Sequence, residues 1–172
     1  HGLHALSQPC SVLRNALSSH YVEFSKYPQE SRLSSAAPDL DVLRETLRTV
    51  VAPWVAELEL RLDEARLGEV VLTLPVAPKH VHGGGVLCGQ SMMAAADTAM
   101  ILAICTRLGE FKPMTTVQLQ TSFLRPIPGD AGTARVVARV LRMGRKLVFG
   151  EIQISDARGE LAAHATTTYA LM

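Results

Sequence analysis

The chain has few of the features that mark secreted, membrane-spanning or nucleic-acid-binding proteins. Its three cysteines, Cys10, Cys88 and Cys105, are an odd number without regular spacing, so no disulfide framework is predicted and a reducing compartment is favoured. The net charge is only +1, which argues against a broad surface for nucleic acid. No basic segment followed by an apolar run indicates a secretory signal. We therefore expect a cytoplasmic protein.

Long apolar runs are also scarce. The longest, residues 92–105, is interrupted by Asp97 and is too short and too polar to span a membrane, so it predicts a buried helix and no membrane partner. With 172 residues, of which 48% are hydrophobic, the chain can form one domain with a sizeable core. We expect residues 1–36 to be a peripheral N-terminal arm, because loop-forming residues follow at 31–38, and residues 37–172 to be the domain.

Hydrophobic periodicity predicts the elements of this domain. A helix is expected from Asp39, a good N-cap, to Val51. Alternation from Leu58 to Val76, with a turn near Gly68, predicts a β-hairpin. A long apolar helix follows at 87–108, and four strands in a meander are then expected at 116–123, 133–143, 147–156 and 161–170. The predicted class is α+β, with an antiparallel sheet of about six strands wrapped around one long helix.

Asp97 is the most informative candidate, because it lies among Ala94, Ala95, Ala96 and the apolar residues that follow it. Burying an unpaired carboxylate costs several kcal/mol, so the acid must be paired or used. One interpretation is a structural Asp bonded to a hydroxyl or an amide. The other is a general base whose pKa is raised by desolvation, which suits proton transfer near neutral pH.

A glycine cluster precedes the long helix, at Gly83, Gly84, Gly85 and Gly89. Glycines let a substrate approach the backbone, and the free N–H groups of a helix N-terminus can stabilise a developing oxyanion. A flexible strand-to-helix loop is the simpler interpretation. A Walker phosphate loop is excluded, because no Gly-Lys-Ser/Thr follows.

His82 and Cys88 flank these glycines, so a Cys/His nucleophilic pair is conceivable. A small buried side chain at an apolar helix start is the commoner use of such a cysteine. No metal site is predicted, because His80 and His82 have no matching Cys or His cluster elsewhere.

A basic stretch lies further along the chain and contains one acid, Asp130. Arginines on one strand face can hold the phosphates of a nucleotide group, although a solvated face explains the same pattern. We expect Arg135 and Arg139 to share such a face with Val137. The basic residues are Arg125, Arg135, Arg139, Arg142, Arg145 and Lys146.

These features together resemble the hotdog thioesterases, in the phenylacetate-degradation (PaaI-like) branch of the hydroxybenzoyl-CoA thioesterase superfamily. The resemblance covers residues 54–169, including Ala95-Ala96-Asp97-Thr98-Ala99, Thr116-Val117-Gln118-Leu119 and Phe123-Leu124-Arg125-Pro126. The family motif is Asn/Gln-x-x-Gly-x-x-His-Gly-Gly, with an acid nine positions after the His.

The motif fits this chain in two registers. His82-Gly83-Gly84 matches His-Gly-Gly, but nine residues later stands Ser91. In the register that we prefer, Asp97 is the acid, Cys88 replaces the His, and His82 takes the Asn/Gln position. Gly85 then stands at the upstream glycine of the motif, and Gly89 and Gln90 stand at the two glycine positions after the His.

The resemblance implies a mechanism. Asp97 would activate water or attack the carbonyl of an acyl-CoA thioester, while the Gly89 N–H holds the oxyanion. His82 would orient water or the carbonyl, and Thr116 would help to place the water. Cys88, which is a weaker hydrogen-bond donor than His, stands at the His position of the motif.

The resemblance also implies the partners of the chain. No cofactor is needed beyond the coenzyme A of the substrate. Gly85 and Gln90 would contact the substrate, and Arg125, Arg142, Arg145 and Lys146 would bind its phosphates. The acid and the glycine segment of one family site come from different subunits, so an obligate dimer is expected, and a dimer of dimers is common.

Two other functions remain open at this stage. The cysteine at position 88 motivates a non-catalytic acyl-CoA-binding protein of the same fold. A hydratase or dehydratase acting on an enoyl-CoA would need a His and an acid across one site, and His82 and Asp97 could supply them.

Overall fold

The computed structural model describes residues 39–172. The predicted peripheral arm, residues 1–36, and the domain boundary at residue 37 lie outside the described residues. All the described residues belong to one compact unit of the chain.

The first helix, α1 (Leu40–Val50), is confirmed almost at its predicted ends. Asp39 is its N-cap, and the Asp39 carboxylate accepts the backbone N–H of Asp41 at 2.9 Å. Leu43 is buried in the core on the inner face of the helix. A one-turn helix that the sequence did not predict, α2 (Pro53–Ala56), follows, with Pro53 at its first position.

The predicted hairpin is present, but its first strand begins later than the alternation suggested. Strand β1 is Arg61–Arg66 and β2 is Glu69–Pro75, and Gly68 between them has a φ of +78°. Leu58 is buried in the turn after α2 rather than in a strand. Glu59 has a left-handed φ of +55°, which interrupts the extended backbone, so the strand begins only after it, at Arg61.

The other strands are β3 (Met114–Phe123), β4 (Thr133–Met143), β5 (Leu147–Ser155) and β6 (Leu161–Leu171). They form one antiparallel sheet in the order β1-β2-β4-β5-β6-β3. The predicted four-strand meander is therefore wrong for β3, which crosses to the far edge and pairs with β6. Strand β4 pairs instead with β2, so that only β4, β5 and β6 form a meander.

The long helix, α3 (Gly89–Leu108), packs on the concave face of this sheet. Met100, Leu102 and Ile104 are completely buried, and Gly109 ends the helix with a φ of +77°. Helix and sheet approach closely at Gly150, where an added Cβ would lie 2.6 Å from the Met100 sulfur. Helix α3 is long and apolar enough to cross a membrane, but its burial makes it the core helix of this domain.

Candidate active site

Asp97 lies in the third turn of α3, beneath the edge strand β3. Its Oδ1 atom accepts hydrogen bonds from the Thr116 hydroxyl at 2.9 Å and from the Tyr169 hydroxyl at 2.5 Å. Asp97 lies on a mostly buried helix, as expected, but its own side chain is only half-buried in the single chain. Asp97 Oδ2 accepts no hydrogen bond from residues 39–172, so one oxygen is held and the other is open.

Tyr169 is a site residue that the sequence analysis missed. It is 1% exposed, and its hydroxyl also lies 3.0 Å from the backbone carbonyl oxygen of Asp97. Burial raises the pKa of this phenol, and the negative charge of Asp97 raises it further. The phenol therefore remains protonated and donates. The alternation of apolar residues in β6 predicts that Tyr169 faces inward, but it gives no sign of the contact with Asp97.

The segment before α3 is a tight, hydrogen-bonded loop. The Gly85 N–H bonds the His82 carbonyl at 2.9 Å, and Gly85 has a φ of +76° that favours glycine. The Gly85 carbonyl accepts the N–H of Gly129 at 2.9 Å, and the Leu87 N–H donates to Ile127. These bonds join the loop to the turn before β4, and they fix where α3 begins.

His82 is exposed, and the loop determines its tautomer. The backbone N–H of Gly84 donates to His82 Nδ1 at 2.9 Å, so Nδ1 acts as the acceptor. In the neutral ring the proton is then on Nε2, which is available as a donor. His80 is separate from this site, because it is buried and its ring nitrogens contact the carbonyls of Pro75 and Glu57.

The N-terminus of α3 offers uncapped backbone donors. Cys88 is the N-cap but makes no capping hydrogen bond, and its sulfur lies 3.0 Å from the Ser91 hydroxyl. Gly89 is the first helical residue, and among residues 39–172 its N–H has no acceptor. Such an N–H group, at the positive end of a 20-residue helix, suits an oxyanion.

A pocket of about 310 Å³ lies at this helix start. It brings together three of the predicted residues, His82, Gly89 and Arg125, and its walls are otherwise apolar. Gln90 does not line it, and Gly85 borders a second hollow with Asp130. The apolar lining consists of Val86, Leu87, Met92, Phe123, Leu124 and Pro126.

The structure separates Gly89 from Asp97 within one chain. Eight residues of helix correspond to about 12 Å along the axis. In the reacting complex the base lies about 3 Å from the attacking water, the water about 3 Å from the carbonyl carbon, and the carbonyl oxygen about 3 Å from the donor. With a carbonyl bond of about 1.2 Å, and because these segments do not lie in a straight line, base and donor must be less than about 10 Å apart. One chain therefore does not bring Asp97 and its own Gly89 to one thioester.

The predicted phosphate-binding residues do not form one cluster. Arg125 follows the end of β3 that lies near Gly89, and it pairs with Glu160. The other three, Arg142, Arg145 and Lys146, are exposed around the β4–β5 turn.

The outer face of the sheet holds the remaining arginines of the basic stretch. Arg139 is neutralised there by Glu69 at 2.7 Å and by Glu151 at 3.9 Å. Residues 39–172 contain no group of three or more His, Cys, Asp or Glu side chains placed to hold a metal ion.

Comparisons with known proteins agree with this architecture. The family model described as "Thioesterase superfamily" matches residues 79–163, which include the glycine loop, Asp97 and Thr116 but not Tyr169. A protein of Saccharolobus solfataricus named "Putative esterase" is 29% identical over 115 residues, which are 67% of this chain and 80% of that protein.

Two solved structures share the fold. A thioesterase from Haemophilus influenzae superposes with a TM-score of 0.70 at 22% identity, covering 82% of this chain and 95% of that one. The E. coli PaaI protein from the phenylacetic acid degradation operon gives a TM-score of 0.67 at 19% identity, over 77% of this chain and 91% of that one. The chain has the hotdog fold, and its residues 79–163 match the model of the thioesterase superfamily.

Proposed function

We propose that the protein hydrolyses an acyl-CoA thioester to a free acid and coenzyme A, with Asp97 as the catalytic carboxylate. The observation that carries this proposal is the asymmetry of Asp97. Two hydroxyl groups hold Oδ1, while Oδ2 is open on a half-buried side chain. Oδ2 is not among the buried atoms of residues 39–172 that lack a partner, so water or a substrate can reach it while Oδ1 is held.

The proposed reaction uses Asp97 Oδ2 as the general base. It removes a proton from water while the water oxygen attacks the thioester carbon, and the Gly89 N–H of a second subunit stabilises the oxyanion. The carbon–sulfur bond then breaks, and the thiolate leaves and takes up a proton. Direct attack by Asp97 is the alternative, and ¹⁸O from labelled water would then enter its carboxylate.

The site requires a dimer in this proposal. Strand β3 is a sheet edge, and most of its side chains are exposed, including Val117 at 60% and Phe123 at 49%. An edge with unpaired backbone groups and apolar side chains is a pairing surface. Pairing through this edge lets one subunit's Gly89 approach the other's Asp97. Two such dimers would form the larger assembly that the family resemblance implies.

The proposed substrate has an apolar acyl group and a negatively charged coenzyme A group. The pocket of about 310 Å³ beside Gly89 is mainly apolar and suits the acyl group. Arg142, Arg145 and Lys146 are exposed on one turn and suit the phosphates of coenzyme A. Arg125 stands at the pocket rim, although Glu160 neutralises part of its charge. We expect this reaction to take place in the cytoplasm.

The test is thiol release from a panel of acyl-CoA substrates. Asp97→Asn keeps the size of the side chain and is expected to reduce kcat by at least about 100-fold, as loss of an acid/base group does. Asp130→Asn, in the neighbouring hollow, is the control and should retain activity. Near-normal thiol release by Asp97→Asn would remove Asp97 from the chemistry.

The same panel distinguishes the two other functions. Tight binding of a coenzyme A ester without turnover on any chain length would indicate the non-catalytic protein that Cys88 motivates. Hydration of an enoyl-CoA without thiol release would indicate a hydratase using His82 and Asp97. Either reaction would take His82 and Asp97 from different subunits, because within one chain they lie at different ends of β3, so thiol release is the readout that separates hydrolysis from hydration.

A further inference from the structure

Tyr169 occupies a position that no step of the proposed reaction has yet used. It faces inward from β6, directly opposite Thr116 on β3, and its ring is buried against the core. Its hydroxyl is directed at Asp97, which is 72 residues earlier in the chain. A buried phenol needs a hydrogen-bond partner, and here that partner is the proposed catalytic carboxylate.

The contact fixes the orientation of the Asp97 side chain. The Tyr169 hydroxyl lies 2.5 Å from Asp97 Oδ1 and 3.0 Å from its backbone carbonyl oxygen. Thr116, the cross-strand partner of Tyr169, donates to the same Oδ1 at 2.9 Å. Two donors on one oxygen restrict rotation of the carboxylate, and the second oxygen then points away from both.

A bulge in β3 supports this arrangement. The pairing of β3 with β6 shifts register between Thr116 and Gln118, so that Val117 has no partner in β6. Bulges redirect neighbouring side chains. Here Thr116 and Tyr169 pair directly before the shift, and both face the helix.

We propose that Tyr169 is a positioning residue, whose hydroxyl fixes Asp97 Oδ1 so that Oδ2 is the oxygen that acts on the substrate. This inference rests on the proposed function, because it assigns a role to one oxygen of the proposed base. It adds a residue outside the range that the superfamily model matches.

The proposal predicts a pH effect as well as a rate effect. A hydrogen bond to an ionised carboxylate stabilises its charged form. Removing the Tyr169 hydroxyl should therefore move the acidic limb of the kcat profile to higher pH. Burial and the charge of Asp97 both raise the pKa of the phenol itself, so Tyr169 stays a donor across this range.

The test compares Tyr169→Phe with Thr167→Val. Both variants remove a buried hydroxyl from β6, but the Thr167 hydroxyl donates to the Gln118 carbonyl at 2.7 Å and does not contact Asp97. Tyr169→Phe should lower kcat about tenfold or more, leave KM within about twofold and shift the acidic limb upward. Thr167→Val should retain kcat within about twofold. Equal losses in the two variants, or an unshifted limb in Tyr169→Phe, would overturn the proposal.

A third variant shows whether a simple folding defect explains the kinetic changes. Replacing Tyr169 by 3-fluorotyrosine keeps the ring and the hydroxyl and makes the phenol a stronger donor. The acidic limb should then move to lower pH, opposite to the change in Tyr169→Phe. A shift in the same direction in both proteins would contradict the proposal.

A readout without turnover separates this inference from the proposed function. The ¹³C resonance of the Asp97 carboxyl, assigned with Asp97→Asn, is titrated in the wild type and in Tyr169→Phe. A higher titration midpoint in the variant supports the positioning contact, even if no acyl-CoA is hydrolysed and the proposed function fails. An active wild type with identical kinetics and midpoints in Tyr169→Phe would leave the function standing and refute the inference.

Discussion

The ring of Phe123 lies directly against the backbone of Gly89, where a Cβ would stand 3.0 Å from Phe123 Cζ. Phe123 is 49% exposed, so its ring can turn aside by a few tenths of an ångström. An alanine at position 89 is therefore tolerable, so the effect of adding a side chain can be measured separately from the effect of removing the N–H.

Gly89→Pro is predicted to abolish most of the activity without unfolding the protein. Proline is well accepted at the first position of a helix, and Cys88 already has the extended backbone that a following proline needs, with ψ of 146°. The substitution removes the proposed oxyanion donor, which is expected to cost about 10²–10³-fold in kcat.

Gly89→Ala is the matched control for that variant, because it adds the Cβ and keeps the N–H. It should lose no more than about tenfold, as a displacement of less than 1 Å suggests. If the alanine and proline variants were equally impaired, the N–H would have no special role.

His82→Ala is predicted to lower kcat/KM about tenfold, because it removes one hydrogen-bond donor at the pocket worth about 1.4 kcal/mol. The Gly84 N–H bond to Nδ1 leaves Nε2 as that donor. His164, which lies 3.4 Å from Glu151 on the outer face of the sheet, provides the control. Steady-state kinetics of His82→Ala and His164→Ala make the comparison, and equal values for both would exclude His82 from the site.

The two cysteines of the described domain are predicted to differ in reactivity. Burial raises the pKa of Cys105 to about 11, so below that pH it remains a protonated thiol inside the core. Cys88 is half-buried at the start of α3. In a Cys10→Ser background at pH 8, a disulfide reagent should titrate one thiol in the native protein and two in denaturant. Rapid reaction of two native thiols would show that Cys105 is accessible.

His80 is predicted to stabilise the fold rather than to take part in catalysis. Its ring nitrogens lie 3.0 Å from the Pro75 carbonyl and 3.2 Å from the Glu57 carbonyl, so it joins the end of β2 to the end of α2. His80→Ala should lower the free energy of unfolding by about 1–3 kcal/mol, measured by urea denaturation, because it empties the space of a buried side chain and removes the hydrogen bond that its one N–H donates. The neighbouring variant Lys79→Ala removes only an exposed ion pair and should not change stability measurably.

Local patterns in the sequence predicted most of the elements. The alternation predicted strands at 133–143, 147–156 and 161–170, and the apolar run before Gly109 predicted the long helix. These patterns involve residues that are near each other along the chain, so the predicted bounds agree with the structure to within two residues. The start of β1 was wrong because the left-handed backbone at Glu59 has no signature in that residue type. The position of β3 was wrong because strand pairing is decided across the sheet, where β6 rather than β4 is its neighbour.

The candidate site divides in the same way. Asp97 and Gly89 stood out because an acid in an apolar helix and a glycine at a helix start are unusual in themselves. Tyr169 did not stand out, because a tyrosine at an inward position of a strand is an ordinary core residue until its partner is known. The separation of Gly89 from Asp97 was implicit in the helix itself, since eight residues fix that distance whatever the packing.

In the proposed dimer, one site takes Asp97 from one subunit and Gly89 from the other. Asp97→Asn and Gly89→Pro subunits, each inactive alone, are mixed by unfolding and refolding, and thiol release from an acyl-CoA substrate is measured. Random pairing in a two-fold dimer makes half of the dimers mixed, and each mixed dimer regains one of two intact sites. The mixture should therefore recover about one quarter of wild-type activity. A mixture as inactive as its components, with mixed dimers demonstrated by native mass spectrometry, would contradict the shared site.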